Sequence, residues 1–148
     1  MADLKDKLDK SLEDIVIAKI IAGEAAGEGK KGMIAVLSVA KNRLKNNPKR
    51  WGKTLYEVFT QPKQFSAYQN KKLMERNFKQ VKEMVLNLVK NYNKIKDNTA
   101  GATHYVTKSF YDKVMKSSKP HWIKKMVVVK QIGNHIFLKE GGRNGNGY

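Results

Sequence analysis

The sequence contains no cysteine and few acidic residues. Of its 148 residues, 13 are Asp or Glu and 30 are Lys or Arg, which gives a formal net charge of +17. The absence of cysteine excludes disulfide bonds, thiolate metal ligands and cysteine nucleophiles, so stability must come from packing. Only three prolines interrupt the chain, and no stretch reaches the roughly 18 consecutive apolar residues of a transmembrane helix. We therefore expect one compact domain without a membrane span.

The positive charge is unevenly distributed along the chain. Residues 1–14 contain five of the 13 acids and three lysines, so the rest of the chain carries +19 by count. Residues 29–56 contain eight basic residues and no acid. Such a surface favours a polyanionic partner, and charge alone leaves nucleic acid, anionic lipid and a bacterial envelope open. A lysine-rich surface that is only solvated is the remaining alternative.

Hydrophobic periodicity predicts a mostly helical protein with a small β region near the C-terminus. Helices are predicted at about 11–25, with Ser11 as the N-cap, and at 33–44, 55–59 and 72–92. A β-prone stretch at 103–106 precedes a predicted hairpin, with strands at 126–131 and 135–139 around Gly133-Asn134. We predict a single domain over residues 1–140, in which residues 1–10 are a lead-in, and a flexible glycine-rich tail at 141–148.

Two glutamates, Glu24 and Glu28, lie where an apolar helix runs into glycines, in the segment IAKIIAGEAAGEGKKG. On one continuous helix they would share a face about 6 Å apart, and their repulsion would favour one protonated and one ionised carboxyl group. An acid beside an anion suits the cleavage of a glycosidic bond. The alternative is that Glu28 pairs with Lys30 or Lys31 while Glu24 faces water.

Four ordered blocks resemble the SleB-type cell wall hydrolases, the family that includes spore cortex-lytic enzymes. The blocks are GEAAGEG with the later Asn42-Arg43, VFTQPKQFS at 58–66, DNTAGATHY at 97–105, and Trp122 followed by IGNHIF at 132–137. His104 departs from the family pattern, which usually has an apolar or aromatic residue there. The resemblance implies an α+β, predominantly helical, lysozyme-like domain that cleaves the glycan strands of peptidoglycan. It also implies a lytic transglycosylase or muramidase that needs no cofactor and no metal.

The same resemblance assigns roles to individual residues. Glu24 is expected to act as general acid and then general base, with Glu28 as a second catalytic group that assists it. The expected substrate-binding residues are Gln64, Phe65, Ser66, Thr99, Tyr105 and Trp122. Core packing is the alternative for the three aromatic residues, and stabilisation of its own turn is the alternative for Thr99. A structural role is expected for His135.

Two other functional classes stay open at this point. A zinc-dependent peptidoglycan amidase would take its ligands from His104, His121, His135 and one of the two glutamates, although no HExxH spacing is present. A basic nucleic-acid-binding module would explain the charge but lacks a known reading motif.

The expected partners are peptidoglycan and an anionic bacterial envelope, with no specific nucleic acid, and the protein is expected to be a monomer. Its N-terminus has no secretory signal pattern. We therefore expect a phage endolysin-like protein that stays in the host cytoplasm until release and then acts on the cell wall.

Overall fold

The computed structural model describes residues 2–62, 64–65 and 70–141. Most of the chain is helical. The helices are α1 (Ala2–Ala25), α2 (Gly29–Asn46), α3 (Pro48–Trp51), α4 (Leu55–Thr60), α5 (Lys71–Lys90) and α6 (Lys108–Lys116). The strands are β1 (His104–Thr107), β2 (Met126–Ile132) and β3 (His135–Glu140). The predicted tail lies almost entirely outside the described residues, so the domain boundaries stay a prediction.

The first helix is longer than the sequence pattern predicted. It begins at Ala2, so the assignment of Ser11 as its N-cap was wrong. Residues 2–10 include no glycine or proline, and six of the nine are Ala, Leu or Lys, which have high helix propensity. Leu4, Leu8 and Leu12 recur at a helical spacing but are exposed, so this part of the helix does not contribute to the core.

The core forms where α1 and α5 pack on each other and on α2 and α4. Its centre contains fully buried side chains from α1, α2 and α4, among them Ile20, Ile21, Met33, Leu37 and Phe59. The predicted helices at 33–44, 55–59 and 72–92 are confirmed with small shifts at their ends. None of the described helices combines the length and hydrophobicity that are needed to cross a bilayer.

Three antiparallel strands form a small sheet in the order β1-β3-β2. The predicted hairpin is confirmed, and Gly133 in its turn has a φ of +56°, a conformation that glycine adopts without steric cost. In the register of β1 and β3, Tyr105 pairs with Phe137 and Thr107 pairs with His135. The alternation of a strand therefore places Tyr105, Phe137 and His135 on one face of the sheet.

Sequence analysis missed the helix α6 and the short 3₁₀ helix Trp122–Lys125. Thr107 caps α6 by accepting a hydrogen bond from Phe110 N at 3.2 Å. Only Val114 of α6 is buried, so the segment has too few core residues to produce a clear helical period.

Candidate active site

Glu24 lies one residue before the end of α1 and is partly buried. The hydroxyl of Tyr105, on β1, donates a hydrogen bond to its Oε1 atom. Burial and then the adjacent Glu24 carboxylate raise the pKa of Tyr105 well above its usual value. Tyr105 therefore keeps its proton throughout the neutral range and remains a hydrogen-bond donor to Glu24.

Glu24 and Glu28 do not lie on one continuous helix, and the predicted end of the first helix at about residue 25 is confirmed. Helix α1 ends at Ala25, a 3₁₀ turn covers Ala26–Glu28, and Gly29 has a φ of +73° before α2 continues. The glycines that follow the apolar helix in the sequence allow the backbone to change direction at this point.

Glu28 pairs with His135 rather than with Lys30 or Lys31. Its Oε2 atom lies 2.5 Å from His135 Nδ1, and the two side chains are 19% and 15% exposed. A Cβ atom on Gly133 would lie 2.6 Å from Glu28 Oε1, and one on Gly32 would lie 2.6 Å from Glu28 Cβ. Two glycines therefore provide the space that the Glu28 side chain occupies.

The Tyr105 ring connects the two glutamates. Its centroid lies 5.4 Å from that of His135, the partner of Glu28, in an edge arrangement, and its hydroxyl reaches Glu24. The charge of Glu28 also contributes to raising the pKa of Tyr105, after the larger effects of burial and Glu24. Tertiary structure thus brings Glu24, Glu28, Tyr105 and His135 into one site, although they are distant in sequence.

Arg43 is a buried cation beside this site, and the sequence analysis gave it no role. Its side chain is 4% exposed, and Nε donates to Thr103 O at 2.6 Å. Nη1 donates to Gln64 Oε1 at 3.3 Å, and the guanidinium lies 4.3 Å from the ring centroid of Trp51. Burial lowers its pKa to about 10, so the group is still charged at neutral pH, and that charge acts on both Tyr105 and Glu24. The only sequence signal was Asn42-Arg43 in the first family block.

The predicted substrate-binding residues fall into different environments. Gln64 and Trp122 line a cleft of about 400 Å³. Phe65 is only 1% exposed and Thr99 is fully buried, so core packing and stabilisation of a turn, the alternatives for these two residues, fit their positions, and their substrate-binding role stays a prediction. Phe65 packs against Phe59 at a centroid distance of 4.7 Å. Ser66 lies outside the described residues.

Thr99 serves its own turn. Its hydroxyl donates to Asp97 Oδ1 at 2.6 Å and accepts from Ala102 N at 3.2 Å. The hydrogen bonds that Asp97 accepts, the first being from the Thr99 hydroxyl, outweigh the effect of burial and lower the pKa of Asp97 below its usual value. This turn forms one wall of a second cleft, of about 520 Å³, which also includes Lys31, Lys130 and Gly133.

The ring of Tyr105 is packed, which was the alternative to its predicted substrate-binding role. The ring lies between Phe137, at 5.6 Å, and Phe65, at 6.4 Å between centroids. Its hydroxyl, rather than its face, is the group directed at the glutamate. Tyr105 is therefore placed to orient Glu24, and its predicted contact with a sugar stays a prediction.

The three histidines have separate partners. His104 contacts the rings of Trp51 and Trp122, His121 Nδ1 accepts from Ile123 N at 3.2 Å, and His135 pairs with Glu28. Within residues 2–62, 64–65 and 70–141, no three His, Asp or Glu side chains lie close enough together to hold a metal ion. The ligand set of a zinc amidase is therefore not assembled in this part of the chain.

Comparisons with known proteins identify the family and the fold of this chain. A spore cortex-lytic enzyme of Oceanobacillus iheyensis is 28% identical over 124 residues, which are 84% of this chain and 40% of that protein. The chain thus spans less than half of that relative's length. The catalytic domain of the germination-specific lytic transglycosylase SleB from Bacillus anthracis aligns with a TM-score of 0.65 and 26% identity, over 86% of this chain and 94% of that domain.

A second solved structure supports the same fold. The catalytic domain of the Bacillus cereus SleB protein aligns with a TM-score of 0.59 and 24% identity, over 86% of this chain and 91% of that domain. Residues 27–138 match the profile of the cell wall hydrolase family, a range that includes Glu28 and Tyr105 and begins just after Glu24. Because this match covers most of its length, the chain belongs to the SleB-type cell wall hydrolase family and has its lysozyme-like fold.

Proposed function

We propose that this protein cleaves the glycosidic bonds of peptidoglycan, as a lytic transglycosylase or muramidase, with Glu24 as the general acid and base. The observation that carries the proposal is the hydrogen bond from Tyr105 to Glu24 at the end of α1. That contact fixes one carboxylate oxygen of a partly buried acid, which is the kind of orientation that proton transfer requires. Membership of the cell wall hydrolase family supports the choice of substrate.

In the proposed reaction, the protonated carboxyl group of Glu24 gives its proton to the oxygen that bridges two sugars. The bond from that oxygen to C1 then breaks, and positive charge develops on the ring. The C6 hydroxyl of the same muramic residue, or a water molecule, attacks C1 and returns a proton to Glu24. Attack by the hydroxyl gives a 1,6-anhydro product, whereas attack by water gives a reducing end.

Glu28 is proposed to assist rather than to transfer the proton. Its carboxylate is engaged by His135, and its charge acts on Tyr105, which holds Glu24. A change at Glu28 should therefore alter the orientation and electrostatics of the acid without removing the acid itself.

The test is the substitution Glu24→Gln, which keeps the size of the side chain but cannot donate the catalytic proton. Lysis of purified walls should fall roughly 100- to 10,000-fold, while the melting temperature stays nearly unchanged. Glu28→Gln should have a smaller effect. Glu83→Gln, an exposed glutamate on α5, is the matched control and should lyse normally. Near-normal lysis by Glu24→Gln would contradict the assignment, and mass spectrometry of the released fragments distinguishes the two products.

We also propose that the basic surface holds the enzyme on an anionic envelope. Of the eight basic residues between positions 29 and 56, six are exposed, namely Lys30, Lys31, Lys45, Lys49, Arg50 and Lys53. The other two act inside the protein, since Lys41 donates to the carbonyl oxygens of Tyr92 and Ile95, and Arg43 is buried. Retention of Glu24→Gln on purified walls should therefore weaken steeply as salt concentration rises. Retention that does not depend on salt would contradict the proposal.

The biological role that we propose is phage-induced lysis of the host cell, with the enzyme confined to the cytoplasm until the membrane is breached. Its support is the high positive charge, which would let this domain hold the wall without a separate binding module. Expression in a bacterial host should leave the cells intact until the membrane is permeabilised. Lysis without permeabilisation would oppose this role.

A further inference from the structure

The second cleft, of about 520 Å³, lies between the start of α2, the turn at 97–101 and the hairpin of β2 and β3. Its walls include Lys31, Asp97, Asn98, Ala100, Lys130 and Gly133. We call this region the lysine cleft. It shares no lining residue with the cleft of about 400 Å³. Apart from the turn at its wall, the family blocks did not draw attention to it.

The lysine cleft borders the candidate active site. A Cβ atom on Gly133 would lie 2.6 Å from Glu28 Oε1, so the backbone that lines the cleft packs against the Glu28 carboxylate. Lys130 pairs with Phe137 across β2 and β3, and Phe137 pairs with Tyr105 across β3 and β1. Directly paired residues project from the same face of a sheet. Lys130 is therefore on the face that carries Tyr105, the hydrogen-bond donor to the catalytic acid.

Two lysines give this cleft free positive charge. Lys31 is the third residue of α2, Lys130 belongs to β2, and both are exposed. Within the described part of the chain, neither ammonium group forms an ion pair or a hydrogen bond. Both groups are therefore available to a ligand in the cleft.

The acid of the cleft is already engaged by the protein. Asp97 Oδ1 accepts from the backbone N–H and the hydroxyl of Thr99, at 2.7 and 2.6 Å. Its Oδ2 accepts from Gly101 N at 2.8 Å and from Asn42 Nδ2 at 3.2 Å. Because both oxygens have donors, Asp97 stabilises its turn instead of pairing with a lysine. Two lysines and one aspartate leave the walls of the cleft with a net charge of +1, which favours an anionic ligand.

The turn that forms one wall is held in an unusual conformation. Ala100 has a φ of +57° and is the only non-glycine residue with a positive φ among the described residues. Asn98 Nδ2 donates to Lys31 O at 3.1 Å and ties this turn to α2. Strained backbone of this kind is frequent where proteins bind ligands, because the surrounding structure must hold it in place.

We infer that the lysine cleft binds a carboxylate of the peptide that peptidoglycan carries on its muramic residues. In this polymer the lactyl group of each muramic residue is extended by a peptide with free carboxylates. The cleft adjoins Glu28, so a peptide attached to a sugar in the active site is close enough to enter it. Its carboxylate would lie between the ammonium groups of Lys31 and Lys130. The inference rests on the proposed function, since it takes peptidoglycan as the substrate.

The experiment compares two soluble substrates: glycan strands that carry their peptides, and the same strands after the peptide carboxylates are converted to amides. The unmodified chain should have a KM roughly threefold to tenfold lower for the charged strands, because two exposed ion pairs contribute modestly. Its kcat should be similar for both, since this contact is made in the ground state and the transition state alike. The double variant Lys31→Gln/Lys130→Gln should lose the preference and cleave the amidated strands as the unmodified chain does.

The matched control is Lys79→Gln/Lys82→Gln, which removes the same charge from exposed positions on α5 and should keep the preference. An equal loss in this control would show general attraction to a basic protein and would overturn the inference. So would equal KM values of the unmodified chain for the two substrates, or a preference that persists in Lys31→Gln/Lys130→Gln. None of these results affects the proposed function, which fails only if Glu24→Gln still cleaves both kinds of strand.

Discussion

The hydrogen bond between Tyr105 and Glu24 yields the most discriminating prediction about the chemistry. Tyr105→Phe removes only the hydroxyl and keeps the ring packed on Phe137 and Phe65. A hydrogen bond to a carboxylate contributes about 1.5–3 kcal/mol. If that energy is used to orient the acid, kcat/KM should fall roughly 10- to 150-fold. The loss should be smaller than that of Glu24→Gln, since the proton donor is still present.

The assay measures turbidity loss of purified walls together with the melting temperature. Because the ring contacts are retained, the free energy of unfolding should change by no more than about 2 kcal/mol. The pKa of Tyr105 lies well above its usual value, so the alkaline limb of the pH profile should be unchanged in Tyr105→Phe. Tyr111→Phe, whose ring packs at the margin of the other face of the sheet, is the control. Equal lysis by Tyr105→Phe, Tyr111→Phe and the unmodified chain would refute a role of Tyr105 in positioning Glu24.

Three further predictions concern the framework of the site. Gly133→Ala should lower the free energy of unfolding by about 2–3 kcal/mol and impair lysis, because the new Cβ would collide with Glu28 Oε1 in addition to the strain of a positive φ. Gly101→Ala is the control, since Gly101 has a positive φ but nothing within 4 Å of its Cβ, and it should lose only about 1 kcal/mol. Equal losses of the two variants in denaturant titrations would rule out the collision. Arg43→Lys should lower the free energy of unfolding by about 2–4 kcal/mol in the same titrations, because an ammonium group cannot replace a buried guanidinium that donates to Thr103 and Gln64 and stacks on Trp51. A loss below roughly 0.5 kcal/mol, the effect of an ordinary surface substitution, would contradict this prediction. Because the pKa of His104 is lowered to about 4, the unfolded chain binds a proton between pH 6.5 and about 4 that the folded chain does not, and the free energy of unfolding should decrease as the pH is lowered through this range. His104→Gln should make this dependence on pH weaker. An unchanged dependence in the variant would show that other groups cause it.

The sequence predicted the elements that have a strong apolar period or clear turn residues. Helix α2 was predictable because nearly all of its centre is buried, and it ends before Asn47-Pro48, where the N-cap and N1 residues of α3 begin. The β-hairpin was predictable because Gly133-Asn134 separates two β-prone stretches. The first ten residues of α1 and the whole of α6 contribute few side chains to the core, so their helical state depends on propensity and, for α6, on the Thr107 cap.

Side-chain roles within the family blocks were harder to predict than the blocks themselves. Phe65 and Thr99 lie in blocks that match the family, yet both are buried and act in packing and in a turn. Arg43 also lies in a block, and only its burial against Trp51 and its hydrogen bond to Thr103 reveal its importance. A motif records which residues occur together, whereas exposure depends on what the rest of the chain packs against them.

By itself, the sequence determined the family blocks, the excess of positive charge and the presence of an acid at the end of an apolar helix, because each of these depends only on the order of residues along the chain. The tertiary structure decided how that acid is held. It separated Glu24 from Glu28 by a 3₁₀ turn, paired Glu24 with Tyr105 and Glu28 with His135, and brought distant side chains to one cleft, among them Trp51, His104 and Trp122. These pairings join residues up to about a hundred positions apart, and only the packing of the sheet against the helices brings them within bonding distance.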